Sequence, residues 1–212
     1  MIYEMRTYDI KPGSVAEAEK RFGAAYAERK EHPELVAFWH TVLGPLNQVV
    51  YVWKYQSLGD RDRVRAAAGK SPNWPPGLSQ FSAAQRSEIL IPAPGSPELK
   101  PGKIGPVFEM RTCTVAPGEL PVAIENFERA LPKRNALKPL CAAWYTDVGA
   151  LDKWIVVWPY ESLGQRDEIR DQARASGDWP PSALARKEGR RACIYTSRES
   201  KILMPAAFSP VH

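Results

Sequence analysis

The sequence predicts an α+β fold: two tandem ferredoxin-like β-α-β-β-α-β repeats packed sheet to sheet as an α+β barrel within one chain. Three observations predict it. The tetrapeptide Glu-Met-Arg-Thr occurs at Glu4–Thr7 and again at Glu109–Thr112, each time after an aromatic residue and five residues ahead of a Pro-Gly. A shift of about 105 residues aligns the halves without a gap from Tyr3 to Pro76, with about 30 of about 74 pairs identical. Finally, the strands of each half are rich in Tyr and Trp, whereas the helices of this plan cover only one sheet face. The bare face needs a partner, and the second copy supplies it.

The elements follow in order. Ile2–Ile10 mixes β-branched and aromatic residues and reads as a strand. Pro12-Gly13 turns the chain. Ser14 with Glu17 forms a capping box for a helix whose apolar residues Val15, Ala18, Phe22, Ala25 and Tyr26 recur at helical spacing. Pro33 ends that helix. Leu35–Val42 and Gln48–Tyr55 are strands joined at Gly44-Pro45. Ser57 caps a short helix to about Ala68, and a Trp-Pro-Pro loop leads to a last strand near Arg86–Ile91. The second half repeats this with Glu119 in place of Ser14, a weaker cap, and with about eight extra residues after its own Trp-Pro-Pro. Residues 1–97 form repeat one, the Pro/Gly-rich stretch 98–105 a linker, and 106–212 repeat two.

Composition narrows the function classes. Net charge is +5, but basic and acidic residues are interspersed, as in GDRDRVR, so no concentrated nucleic-acid patch is expected. No apolar run approaches the ~18 residues of a membrane span. The opening MIYEMRTYDI has no signal-peptide core, which favours a cytoplasmic protein. The three cysteines, Cys113, Cys141 and Cys193, lack metal spacing and have no counterparts in the first half, so neither a metal site nor a shared catalytic thiol is expected.

Strand alternation nominates the site residues. Tyr3, Met5 and Thr7 share one side of the first strand and suit the helices, which turns Glu4 and Arg6 into the barrel. A tight turn at Gly44-Pro45 sets His40 opposite Val49 and Phe38 opposite Tyr51, with Trp53 on that same inner face and Val50 and Val52 toward the helices. A one-residue slip would bring Trp39 inward instead. Tyr55 continues the inner set, and Glu109, Arg111, Tyr145, Trp158 and Tyr160 are its second-half members. Buried Glu and Arg must pair, so Glu4 with Arg6 and Glu109 with Arg111 read either as ion pairs at the sheet seam or as arginines anchoring a ligand's polar group. His40 reads as a packed polar ring, a general acid/base working with Tyr51, or an axial haem ligand. Asp62 and Arg65, with Asp167 and Arg170, read as helix-surface pairs. Trp74 and Trp179 plug the barrel ends or gate a pocket.

The YEMRTY opening, the hairpin FWHTVLGPLNQVVYVWKYQSL and the SLGDRD helix start followed by a Trp resemble the NIPSNAP family in two copies. The second copy departs from the pattern: Tyr145 stands where His40 does, and Asp152-Lys153 replace Asn47-Gln48. The resemblance implies a dimeric-α+β-barrel superfamily fold, whose relatives include cofactor-free monooxygenases, lyases, isomerases and haem-binding enzymes, and it implies self-association. Three functions follow: a barrel cavity that binds or transforms a small apolar or aromatic molecule, a haem-linked protein, or an interaction module with a filled barrel. A cavity of ~300 Å³ beside Arg6 and His40 would favour the first.

Overall fold

The computed structural model describes residues 1–27 and 34–212. His32 and Pro33, the latter expected to end the first helix, lie outside the described residues. The first repeat runs β1 (Ile2–Ile10), α1 (Val15–Ala27), β2 (Glu34–Leu43), β3 (Gln48–Tyr55), α2 (Leu58–Ala68), a 3-10 turn (Leu78–Gln80) and β4 (Ser82–Pro92). The second runs β5 (Val107–Val115), α3 (Leu120–Leu137), β6 (Ala142–Val148), β7 (Lys153–Tyr160), α4 (Leu163–Ala175), α5 (Pro181–Lys187) and β8 (Tyr195–Pro205). Local chemistry explains several boundaries. Ser57 and Ser162 accept hydrogen bonds from the backbone N–H of Asp60 and Gln165, both at 3.1 Å, and so start α2 and α4. Glu17 accepts from Arg21 instead of closing a capping box on Ser14. Glu119 makes no cap bond; its carboxylate pairs with Arg191 and accepts from the Ile194 N–H. The extra residues of the second half form α5.

Each repeat contributes four antiparallel strands, ordered β4-β1-β3-β2 and β8-β5-β7-β6. They join edge to edge: Trp39 of β2 lies opposite Pro205 of β8, and Pro92 of β4 opposite Trp144 of β6. The eight strands therefore close into a barrel. The expected hairpin register holds, with Phe38 opposite Tyr51 and His40 opposite Val49.

The direction of the two faces is the reverse of the sequence expectation. Tyr3, Met5, Trp39, Val50, Val52, Phe108, Met110, Trp144 and Val157 form one buried cluster drawn from both repeats, which is the barrel interior. Tyr3 meets Trp144 at 5.5 Å between ring centroids, and Trp39 meets Phe108 at 5.3 Å, each pair crossing from one repeat to the other. Glu4, Arg6, His40, Tyr51, Trp53 and Tyr55 lie instead on the outer face, beneath the helices of their own repeat, and Glu109, Arg111, Tyr145, Trp158 and Tyr160 do the same in the second. The physical reason is the dryness of the interior. The centre of the interior offers few polar partners, since even the indole N–H groups of Trp39 and Trp144 find no acceptor there among the described residues. Buried Glu and Arg need the donors and acceptors that the outer layer provides.

The stretch between the repeats is part of the barrel. Leu99 and, from the C-terminal segment, Val211 join the interior cluster, whereas Trp74 and Trp179 pack against the outer clusters. Gly102 bridges Val211, and the Ile104 N–H donates to the His212 carbonyl. Gly105 sits at φ +155, where a Cβ would come within 2.7 Å of the Tyr160 carbonyl oxygen. The Gly105→Ala variant is expected to lose about 1–3 kcal/mol in urea unfolding; an unchanged midpoint would show that this approach can relax.

Candidate functional site

The outer face of each half-sheet encloses a cavity beneath its helices, at the Trp-Pro-Pro loop. The two cavities occupy equivalent places. In the first repeat the volume is about 360 Å³; β1 contributes Arg6 and Tyr8, β3 contributes Tyr51, Trp53 and Tyr55, α1 contributes Phe22, α2 contributes Arg65, and the loop contributes Trp74–Ser79. In the second it is about 70 Å³, with Arg111, Trp158, Tyr160, Phe127, Arg134, Arg170 and Trp179 among its walls. After the repeated Trp-Pro-Pro the two differ: α5, with Ser182 buried, borders the second cavity, and the Gly77–Ser79 turn borders the first.

Aromatic rings build the first cavity. Trp53 and Trp74 meet edge to face at 5.9 Å and 82°, Phe22 meets Trp74 at 5.6 Å, and Tyr8 meets Tyr51 at 5.3 Å and 73°. Such geometry holds flat walls at fixed angles. Trp74 and Trp179 thus line cavities and do not plug the barrel. Both precede cis prolines.

Behind this wall lies Glu4, fully buried. Its carboxylate accepts from Arg6 Nε and Nη2 at 3.0 and 2.9 Å, from Arg61 at 2.8 Å and from Ser87 at 2.7 Å. Burial pushes its pKa up, but Arg61, Arg6 and Ser87 outweigh that and hold it at about 2. Arg6 also donates Nη1 to the Tyr8 hydroxyl at 3.0 Å. Burial raises the Tyr51 phenol well above its ordinary value, with Tyr8 adding to the effect. Tyr51 is therefore a neutral hydroxyl at physiological pH, suited to donating a hydrogen bond.

The second carboxylate, Glu109, is arranged differently. It accepts from Arg166 at 2.7 Å, Arg170 at 2.9 Å and Ser200 at 2.7 Å, and not from Arg111. Burial raises its pKa, yet these partners bring it below the usual carboxylate range. Arg65 and Arg170 consequently turn inward to Glu4 (3.6 Å) and Glu109, and are not helix-surface partners of Asp62 and Asp167. The adjacent Arg61 and Arg166 contact those aspartates.

Of the nominated residues, Arg6, Tyr51, Trp53 and Tyr55 come together on the first cavity, with Glu4 behind them. Glu109, Arg111, Trp158 and Tyr160 come together on the second. His40 and Tyr145 line neither: His40 Nδ1 lies 2.7 Å from Glu19 Oε1 of α1. A haem with His40 as its axial ligand does not fit this arrangement, because the ring faces Glu19 and not a cavity. Among the described residues no cluster of His, Cys, Asp and Glu could hold a metal ion. Alternation along β1 sets Tyr8 on the side of Glu4 and Arg6, but Phe22, Arg61 and Arg134 lie on helices, where strand alternation says nothing. The signal for the arginines was present: Arg61 and Arg65 are four apart on one helix face, and both recur at Arg166 and Arg170.

A model of the NIPSNAP family matches residues 3–97 and 108–210. The chain is 30% identical over 219 residues to Protein NipSnap homolog 3A of Homo sapiens, across 100% of this chain and 86% of that protein. It is 24% identical over 221 residues to Protein NipSnap of Drosophila melanogaster, across 99% and 78%. A crystal structure of a putative monooxygenase from Lactobacillus acidophilus superposes on 97% of this chain and 94% of its own, with a TM-score of 0.66 at 11% identity. One from Fusobacterium nucleatum covers 97% and 92% with a TM-score of 0.62 at 8% identity. These last two show a shared fold. Among the described residues no helix is long and apolar enough to cross a membrane.

Proposed function

The chain belongs to the NIPSNAP family, and from that premise we propose that its first-repeat cavity binds a small, flat, largely apolar molecule carrying one hydrogen-bond acceptor. The observation that carries this reading is the 360 Å³ cavity itself, which falls in the ~300–1,000 Å³ range of small-molecule sites. Trp53, Trp74 and Phe22 offer ring faces and edges to a flat ligand. Arg6 and the neutral Tyr51 hydroxyl offer donors to its acceptor atom. The site lies between sheet and helices, because the barrel interior is occupied by the apolar cluster shared by both repeats. His40 has no part in it.

The test is a fluorescence titration, since Trp53 and Trp74 report directly on the cavity. A panel of small phenols and aromatic carboxylates is titrated against the full chain. A saturating change with one equivalent per chain is expected for at least one class. Tyr51→Phe removes one hydroxyl and leaves the ring stacking intact, so affinity is expected to drop about tenfold, the value of one hydrogen bond of ~1–1.5 kcal/mol. Binding that is indifferent to both Tyr51→Phe and Trp74→Phe would place the ligand elsewhere.

A further inference from the structure

The second-repeat cavity differs from the first in chemistry as well as size. Tyr8 is replaced by Cys113, Tyr51 by Val156, and Gln85 by Arg198, and Cys113 and Arg198 lie directly opposite each other on β5 and β8. In the first repeat Arg6 donates to both Glu4 and Tyr8. In the second the phenol is gone and Glu109 is taken by Arg166, Arg170 and Ser200. Arg111 forms no hydrogen bond or ion pair among the described residues, and its Nε is buried without an acceptor. Arg134 is 2% exposed. It donates Nη2 to the Tyr160 hydroxyl at 2.9 Å and lies 4.0 Å over the Trp158 ring, but its Nη1 is also buried without an acceptor. Arg198 lies 4.4 Å over Tyr195 on the exposed side of the cavity wall. The described wall thus carries Arg111, Arg134, Arg170 and Arg198 against one carboxylate, Glu109, whose oxygens are already occupied. Burial depresses the pKa of both Arg111 and Arg134, which agrees with charge left uncompensated there.

Buried guanidinium N–H groups without acceptors are rare and costly, and a cavity beside them supplies room for the missing acceptor. We propose that the second-repeat cavity is a binding site for a small oxyanion, held by Arg111 and Arg134 with Arg198 at its mouth. The volume sets the class. One water needs ~10–15 Å³ on this scale, so about 70 Å³ holds an inorganic phosphate or a short carboxylate and excludes a drug-sized ligand. Arginine is the side chain suited to such groups because its fork donates two parallel hydrogen bonds. The site shares no wall residue with the first-repeat cavity and does not depend on the function proposed for it.

The experiment compares the thermal unfolding of the full chain in sodium phosphate, sodium acetate and sodium chloride at matched pH and ionic strength, with calorimetric titration of inorganic phosphate and of acetate. The wild type is expected to gain Tm in phosphate or acetate relative to chloride and to bind one anion per chain. Arg111→Met is expected to weaken that binding about tenfold or more. In chloride its Tm is expected to equal or exceed that of the wild type, because an unpaired buried charge has been removed. Arg198→Gln, nearer the solvent, weakens binding less, and Tyr51→Phe leaves it unchanged. A response to phosphate alone identifies the ligand as a free phosphate-type anion. A response to acetate alone identifies it as a carboxylate. The proposal is overturned if neither anion acts beyond chloride, if Arg111→Met binds as the wild type does, or if that variant only loses Tm in chloride.

Discussion

Glu4→Gln is expected to destabilise the chain by about 3–5 kcal/mol, the range seen when one partner of a buried ion network is removed. The wild-type carboxylate has no exposed surface and satisfies two guanidiniums and a hydroxyl at once. A neutral amide keeps the volume but leaves Arg6 and Arg61, both only partly exposed, without their counter-charge. The pH dependence gives a second readout of the same residue. Its folded pKa, about 2, lies below the ordinary 4.5. A depressed carboxylate contributes its stability fully above the unfolded pKa and loses it as pH falls through the folded one. At ~1.4 kcal/mol per unit the shift amounts to about 3 kcal/mol. The wild type should therefore lose stability between pH 4.5 and pH 2 more steeply than Glu4→Gln does, and urea midpoints across that window measure the difference. Parallel curves for the two proteins would show that Glu4 is ordinary carboxylate surface and that the arginines around it are held by something else.

The same residue shows what the sequence revealed and what it withheld. The repeat, the strand order within each half and the register of the β2–β3 hairpin were all legible. They rest on identity between halves, on strand composition and on a tight turn assumed at Gly44-Pro45. The alternation in IYEMRTYDI also separated Tyr3 and Met5 from Glu4 and Arg6 correctly. It did not say which set faces the other repeat, since both faces of β1 are buried and alternation carries no sign. Assigning the apolar set to the helices assumed that the helix side is the drier one. In a barrel closed by two packed sheets the drier side is the interior, and the helix side holds the arginines of α2 and α4 that make a buried Glu tolerable. The cavities were misplaced for the same reason: Tyr51, Trp53, Tyr55, Trp158 and Tyr160 line cavities on the helix side of the sheet, and Tyr145 lines neither. The inequality of the cavities was less legible still. Their chemical difference turns on three scattered replacements, Cys113, Val156 and Arg198, whose proximity appears only once β5, β7 and β8 are paired, and α5 stands where the first repeat has a short turn.

Face assignment is open to a direct energetic test on two neighbouring residues of β2. Trp39→Ala is expected to lose about 3–5 kcal/mol, since Trp39 is completely buried in the interior and the cavity left behind cannot refill from two rigid sheets. His40→Ala should lose under about 1 kcal/mol, because its partner Glu19 and the ring itself are both partly exposed. A large difference alone would show only that one position is better buried than the other. The decisive measurement is a double-mutant cycle between Trp39 and Phe108, which lie in different repeats and meet at 5.3 Å. Ring pairs at this distance couple by about 0.5–1.5 kcal/mol beyond their burial. With Trp39 inward the coupling must appear, and the Trp39–Tyr51 cycle, whose side chains lie on opposite faces of the same sheet, must show close to none. Were the faces arranged as the alternation argument first placed them, the pattern would invert: Trp39 would couple to the α1 layer of its own repeat, and the link to Phe108 would vanish.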